Sequence, residues 1–220
     1  MKIQNKIKYF FLENKPKDEC GIFGVSNDQN AGNLVALGLH ALQHRGQDST
    51  GIVTSDKNNF YAHRGMGQVS EVFSNKELLN TLKGSMSIGH NRYGTTGESA
   101  LKNVQPLFSE LSVGGVAIAH NGNLTNTHQL KEKLIKSGSI FQSTSDTEVI
   151  LHLLSTASGT LLERLTYALN SISGAYSLLI MTNSKLIGVR DPFGIRPLVL
   201  GKYKNSYILS SESCGLDIIG

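Results

Sequence analysis

The sequence predicts an α+β protein in which layered sheets are covered by helices. Three observations carry that expectation. Short apolar stretches bounded by glycines and polar turns occur towards both ends of the chain, helical patterns are paired between them, and the closely spaced stretches 186–190, 198–203 and 207–210 favour antiparallel pairing. With 220 residues, 39% of them hydrophobic, the chain has enough apolar surface to bury a substantial core. A net charge of +4 with scattered lysines leaves no nucleic-acid footprint, and no apolar run reaches the length of a membrane span. Only Cys20 and Cys214 are present, too few for a disulfide framework or an all-cysteine zinc site. That usage suits a reducing cytosol and leaves a single Cys20–Cys214 bridge open.

Taken in order, residues 1–12 mix lysines with aliphatic and aromatic side chains and run into a polar stretch, 13–19. The apolar part is too short for a secretory signal and has no small-residue cleavage site. It reads either as a disordered or weakly helical arm or as a short propeptide. Cys20 then precedes an apolar run with two glycines, 21–25, the pattern of a thiol at the exposed start of a buried strand. Leu34, Val35, Leu37, Leu39 and Leu42 predict a helix buried on a broad face over 31–44. Extended pieces are predicted at 52–55, 60–64 and 66–73, a helix at 75–82, and strands at 86–93 and 113–119, the last closed by a tight Asn121-Gly122 turn. Helices follow at 127–136, from Ser145 with Glu148 as its capping-box partner, and at 161–171, ahead of a strand at 175–182.

Several polar residues stand where such elements meet. Cys20 is either a structural thiol or a nucleophile that becomes the chain's first residue once 1–19 are removed. In the second case its own α-amine, with a pKa of roughly 7.7–8.0, takes the thiol proton near neutral pH. The polar run from His44 to Gly51 sits between a helix and a strand, where site loops concentrate. Arg92, at the end of an apolar strand, suits either a surface ion pair or a two-pronged clamp on a carboxylate. Asn121 and Gly122 offer a turn, or a side-chain amide and a backbone N–H that converge on an oxyanion. Asp146 either complements a helix dipole or holds an ammonium group. His40 and His44 lie four apart, but Ala41 follows His40, so the acid of a zinc-hydrolase helix is missing and no metal site is expected.

Cys20-Gly-Ile-Phe-Gly-Val, His44-Arg-Gly-Gln-Asp, Gly89-His-Asn-Arg-Tyr, His120-Asn-Gly-Asn-Leu and Ser145-Asp-Thr-Glu occur in the order found in the class II glutamine amidotransferases, the N-terminal-nucleophile type, which this chain resembles. Gln47, Asp191-Pro-Phe-Gly-Ile-Arg-Pro-Leu and Ser210-Ser-Glu-Ser-Cys look most like the branch that passes ammonia to phosphoribosylpyrophosphate at the first committed step of purine synthesis. Gly94 departs from the proline usual at that place. The resemblance implies a four-layer αββα sandwich, with residues 1–19 a propeptide and 20–220 a glutaminase domain. The branch's phosphoribosyltransferase domain is expected to be absent from this chain, which is then a fragment or a gene product that ends early.

The same resemblance implies the roles of single residues. Cys20 attacks the glutamine carboxamide with its α-amine as base, Asn121 and the Gly122 N–H hold the oxyanion, Arg92 takes the α-carboxylate and Asp146 the α-ammonium, while Arg45 and Gly46 line the nucleophile's side of the pocket. His44, His90 and His120 receive no proton-transfer role. No cofactor is expected, because two cysteines cannot hold the iron–sulfur cluster some relatives carry in the later domain. The implied partners are glutamine and a phosphoribosyltransferase domain or chain as ammonia acceptor, with the oligomeric state left open, a homo-oligomer included. Rival readings are a glutaminase that feeds another acceptor, or a binding module that holds glutamine without turnover.

Overall fold

Alternation of side chains along the strands sorts the apolar residues into three layers of core. The structure, a computed structural model, describes residues 20–94 and 100–220. The propeptide expectation for 1–19 lies outside them. Among the described residues ten strands form two antiparallel sheets. One has the order β3-β2-β4-β1-β10-β9 and the other β5-β6-β7-β8. The first joins β1 (Gly21–Ser26), β2 (Ser49–Ser55), β3 (Phe60–Met66), β4 (Met86–Arg92), β9 (Val199–Tyr203) and β10 (Ser206–Ser210). The second joins β5 (Leu107–Leu111), β6 (Gly114–Leu124), β7 (Gly174–Met181) and β8 (Leu186–Arg190).

In β1, Phe23 and Val25 point out to helix α1 (Ala31–Ala41), while Ile22 points in to the second sheet. In β6, Val116 and Ile118 point to the outer helices α4 (Thr127–Lys136), α5 (Thr147–Thr156) and α6 (Leu161–Ser171), while Ala117 and Ala119 point in. The inner layer, with Ile22, Val53, Ile88, Ala119 and Leu179 all at zero exposure, glues sheet to sheet. Each valine, leucine or isoleucine among them is worth about 1.5–3 kcal/mol when fully buried. The result is the four-layer αββα sandwich expected. Among the described residues no helix is long and apolar enough to cross a membrane.

The structure corrects the sequence reading in several places. Residues 66–73, read as extended, contain the helical turn α2 (Val69–Val72), because Gln68 and Glu71 form a reciprocal capping box. The helix read over 75–82 is α3 (Lys76–Thr81), capped by Asn75, whose side chain accepts the Glu77 N–H at 2.8 Å. The helix read to His44 ends at Ala41 and tightens into a 3₁₀ turn, Gln43–Arg45. Strand β5 was not anticipated. Glu148 does not cap Ser145 but accepts from the N–H groups of Gln142 and Ser143, so α5 starts at Thr147. Strands β8 and β9 do not pair: the 191–197 loop carries the chain from one sheet to the other. Cys20 and Cys214 are not joined by a disulfide, so the bridge left open is not formed.

The 191–197 loop is held by one carboxylate. Asp191 accepts from the N–H groups of Phe193, Ile195 and Arg196, and the Arg190 guanidinium bonds the carbonyls of Gly194 and Arg196. Burial opposes ionisation of Asp191, but the three amides outweigh it and hold the carboxyl below the usual range.

Candidate active site

Cys20 stands just before β1, an interior strand, and is half-buried with φ +57°. Left-handed backbone at a residue with a Cβ costs about 1–2 kcal/mol, so something must hold it. One support is Arg45, at the end of the 3₁₀ turn and 1% exposed, whose Nε donates to the Cys20 carbonyl at 2.7 Å. The same guanidinium donates through Nη1 to the Glu212 carboxylate, which follows β10. Burial opposes ionisation of Glu212, but the bond and charge of Arg45, with His44 after them, keep its carboxyl below the usual range. A second support is Ser211, whose Oγ accepts the Ile22 N–H and whose own N–H donates to the Ile22 carbonyl, both at 2.9 Å.

Gly46 fits against the end of β4, where a Cβ would lie 2.6 Å from the Arg92 carbonyl carbon. That contact explains the glycine by space rather than by torsion, since its backbone is extended. Arg92 is the last residue of β4, one step beyond the Gly21–Asn91 pair, so the register sets it beside Cys20. Ile88 and His90 share its face of β4, the face turned to the second sheet. Asn91 faces the other way, accepting from Thr50 and donating to the Leu39 carbonyl, which makes it a brace for α1.

On the second sheet the sequence expected a turn at Asn121-Gly122, but both lie inside β6, paired with Ser177 and Tyr176. The polar residues are strand residues because β7 supplies a full ladder opposite them. At Gly122, φ is +150° and a Cβ would meet the Ala175 carbonyl oxygen at 2.1 Å, so only glycine fits. Asn121 shares the inward face of Ala117 and Ala119, the layer into which β1 and β4 also point. Its side chain has no exposure, and neither its Oδ1 nor its Nδ2 has a hydrogen-bond partner. Buried amides are almost always bonded, so an orphan here marks a place kept for a ligand group.

The free edge of β6 repeats the pattern. His120 donates its N–H to Gln105 Oε1 at 2.7 Å and Leu124 donates its N–H to Asp146 Oδ2 at 3.0 Å. Strand alternation directs the Gly122 N–H to that same edge, between the two. Asp146 precedes α5 and also lies 3.5 Å from His120 Nδ1 through Oδ1. Burial would raise its pKa, but the His120 ring and the amides of Leu124 and Thr147 pull it below the usual range. From β4, His90 reaches across, its Nε2–H donating to the His120 carbonyl at 3.1 Å. Two residues further along each strand stand Arg92 and Gly122.

The structure therefore brings Cys20, Arg45, Gly46 and Arg92 to one end of the first sheet, and Asn121, Gly122 and Asp146 to the facing stretch of the second. His40 and His44 do not converge, because His40 is on α1 and His44 is past its end. Sequence reasoning missed Glu212 and Gln105. Glu212 was quoted only within a motif, although a buried arginine such as Arg45 needs a carboxylate partner from somewhere. Gln105 carried no signal, since nothing local ties it to His120.

An αββα sandwich with a cysteine at the head of an interior strand is the architecture of the N-terminal-nucleophile hydrolases. The sequence profile described as the glutamine amidotransferase domain matches residues 90–217. An amidophosphoribosyltransferase from Rhizobium etli is 53% identical over 204 residues, which are 92% of this chain and 41% of the relative. The solved glutamine phosphoribosylpyrophosphate amidotransferase from B. subtilis, complexed with ADP and GMP, superposes with a TM-score of 0.86 at 43% identity, covering 91% of this chain and 44% of that one. A structure described as the allosteric regulatory enzyme of purine biosynthesis gives a TM-score of 0.88 at 45% identity, over 91% of this chain and 43% of that one. This chain belongs to the glutamine amidotransferase domain family. It spans about two-fifths of the length of the curated relatives it matches.

Proposed function

We propose that this chain hydrolyses the side-chain amide of glutamine through a thioester on Cys20. The observation that carries the reading is the orphaned, fully buried Asn121 amide in the inter-sheet layer whose other wall begins at Cys20. A donor left unpaired in the folded state is suited to charge that appears only during reaction. The Cys20 thiol attacks the carboxamide carbonyl and its proton passes to the α-amine of the same residue. The oxyanion takes the Asn121 amide and the Gly122 N–H. Collapse breaks the C–N bond, and the amine returns the proton to the departing ammonia. Water then cleaves the thioester, giving glutamate and the free thiol. Arg92 pairs with the substrate α-carboxylate and Asp146 with its α-ammonium. Arg45 holds the Cys20 carbonyl and so fixes the nucleophile, while Gly46 leaves room for the end of β4.

In this reading the ammonia goes to phosphoribosylpyrophosphate, making 5-phosphoribosylamine for purine synthesis. The names of the Rhizobium and B. subtilis relatives support that acceptor, which their unmatched portion would bind. The base is an α-amine only if residues 1–19 are removed as a propeptide.

The test compares the full chain with one freed to begin at Cys20 by removal of a cleavable tag, each followed by intact mass and by glutamate release. Glutamate release is expected only from molecules whose mass lacks residues 1–19. Equal rates from a chain that keeps all nineteen residues would rule out the terminal amine as base.

A further inference from the structure

His44, Glu212 and Cys214 come from the two sides of the Arg45 pair and converge on one point of the surface. Their ligating atoms, His44 Nε2, a Glu212 carboxylate oxygen and Cys214 Sγ, all lie within 4.8 Å of one another. Nε2 is 3.1 Å and Sγ 3.6 Å from the same atom, Glu212 Oε2. Bond lengths of about 2.0–2.1 Å to nitrogen, 2.0–2.2 Å to oxygen and 2.3 Å to sulfur place the donors of a tetrahedral zinc ion about 3.4–3.6 Å apart. The two measured edges already approach that spacing without an ion.

The surroundings match as well. His44 Nδ1 faces the Ala41 carbonyl at 3.1 Å, the outer hydrogen bond that a metal-binding imidazole usually keeps, and it turns Nε2 towards the carboxylate. A cation between Nε2 and Oε2 takes the place of the hydrogen that links them and bonds to both. Cys214 Sγ faces two acceptors of its own, Glu212 Oε2 and the Ala41 carbonyl at 3.9 Å. The His44 side chain is half exposed and that of Glu212 31% exposed, so a fourth position opens to water.

We propose that His44, Glu212 and Cys214 form a three-ligand site for a zinc-class divalent cation. The mixed nitrogen, oxygen and sulfur donors select a borderline-soft ion over calcium or magnesium. Binding converts the Cys214 thiol to a metal thiolate and releases its proton to solvent, with no change of oxidation state. The ion takes Oε2 and leaves Oε1 with Arg45, whose Nε stays on the Cys20 carbonyl. The site missed by the sequence pattern is missed because its acid lies 168 residues from its histidine.

Cobalt(II), added to the full chain under reducing conditions and in the absence of oxygen, reports this site by thiolate-to-cobalt charge-transfer absorption. One equivalent is expected to saturate the band, and zinc to bleach it by displacement. Cys214→Ser abolishes the band, His44→Ala weakens affinity at least about tenfold, as loss of even an outer partner does, and Cys20→Ser leaves the band intact. Circular dichroism identifies folded variants, and either of the first two alone decides the matter if the other fails to fold. Absence of a band in the parent chain at millimolar cobalt, its survival in folded Cys214→Ser, or its loss in Cys20→Ser would each overturn the proposal, the last by moving the ion to the other thiol.

Discussion

The two walls of the inter-sheet site differ in how their polar groups are bonded. Around Cys20 its carbonyl, the Arg45 guanidinium and the Glu212 carboxylate form a chain of bonds, and the Ser211 hydroxyl takes the N–H of Ile22 beside it. Across the layer the Asn121 amide is buried with both polar atoms unpartnered, and a ring nitrogen of His120 is unpartnered too, while on the first sheet His90 Nδ1 and Ser49 Oγ lack partners outside the set around Cys20. An unmet buried polar group costs the folded state about 1–3 kcal/mol. A fold that tolerates this at Asn121 and avoids it in the bonds around Cys20 has fixed the nucleophile's position and kept a donor for the reaction. The difference separates residues that should matter to stability from residues that should matter to turnover.

Removing the nucleophile is the largest break. Cys20→Ser, freed of residues 1–19, is expected to release glutamate at background rate with an unchanged urea midpoint, because a hydroxyl is a far weaker nucleophile for an amine base. Near-normal release from that variant would end the thioester reading. Asn121→Ala comes next, with kcat down by about 10²–10³ and stability unchanged or raised, since the orphan amide disappears with the side chain. A variant that lost stability while keeping kcat would place Asn121 on the structural side of the comparison instead.

Glu212→Gln probes the bonded wall. It leaves Arg45 buried with a weakened partner, and a stability loss of about 2–3 kcal/mol is expected, below the full cost of breaking a buried pair because Glu212 is partly exposed. Its kcat should fall while KM for glutamine holds, because Glu212 touches Arg45 and not the substrate. A raised KM at constant kcat would mean that Arg45 meets glutamine directly.

The sequence made the layers legible because buried strands and helices carry their period wherever they sit. The continuous apolar runs at 21–25 and 113–119 mark strands buried on both sides, although which residue meets which layer is settled only by the packing. The motif order, in turn, located both walls. Local rules failed where a distant partner decided the outcome. Asn121-Gly122 has the chemistry of a turn and becomes a strand because β7 pairs with it residue for residue. Glu148 follows Ser145 at capping-box spacing and bonds Gln142 and Ser143 instead, since the loop before α5 folds back over it. Glu212 completes its bond to Arg45 from 167 residues away, and Gln105 its bond to His120 from 15, a separation that neither helix nor strand periodicity reports.

The smallest expected effect tests the layer between the walls, where His90 of β4 meets His120 of β6, without any substrate. His90 is fully buried, and its pKa is lowered to about 3, first by burial and then by the neighbouring His120. It is neutral in the folded state, with Nε2–H on the His120 carbonyl and Nδ1 unpartnered. In the unfolded chain an ordinary histidine titrates near 6.5. Between those two values the unfolded state binds one proton more than the folded state, so stability rises with pH there. The contribution is complete above about pH 6.5 and is lost as the pH falls towards the folded value, at a limiting slope of about 1.4 kcal/mol per pH unit. His90→Gln keeps an N–H for the His120 carbonyl and has nothing to protonate. Its stability, read from urea midpoints, should stay level between about pH 6.5 and 4.5 while that of the parent falls, so the two curves converge in acid. Below about pH 4 the depressed carboxylates Asp146 and Glu212 add their own loss to both proteins alike. Parallel curves down to pH 4.5 would mean that the His90 ring accepts a proton in place. The layer between the sheets would then hold a charge of its own, and Asn121 would not be the first donor to consider for the oxyanion.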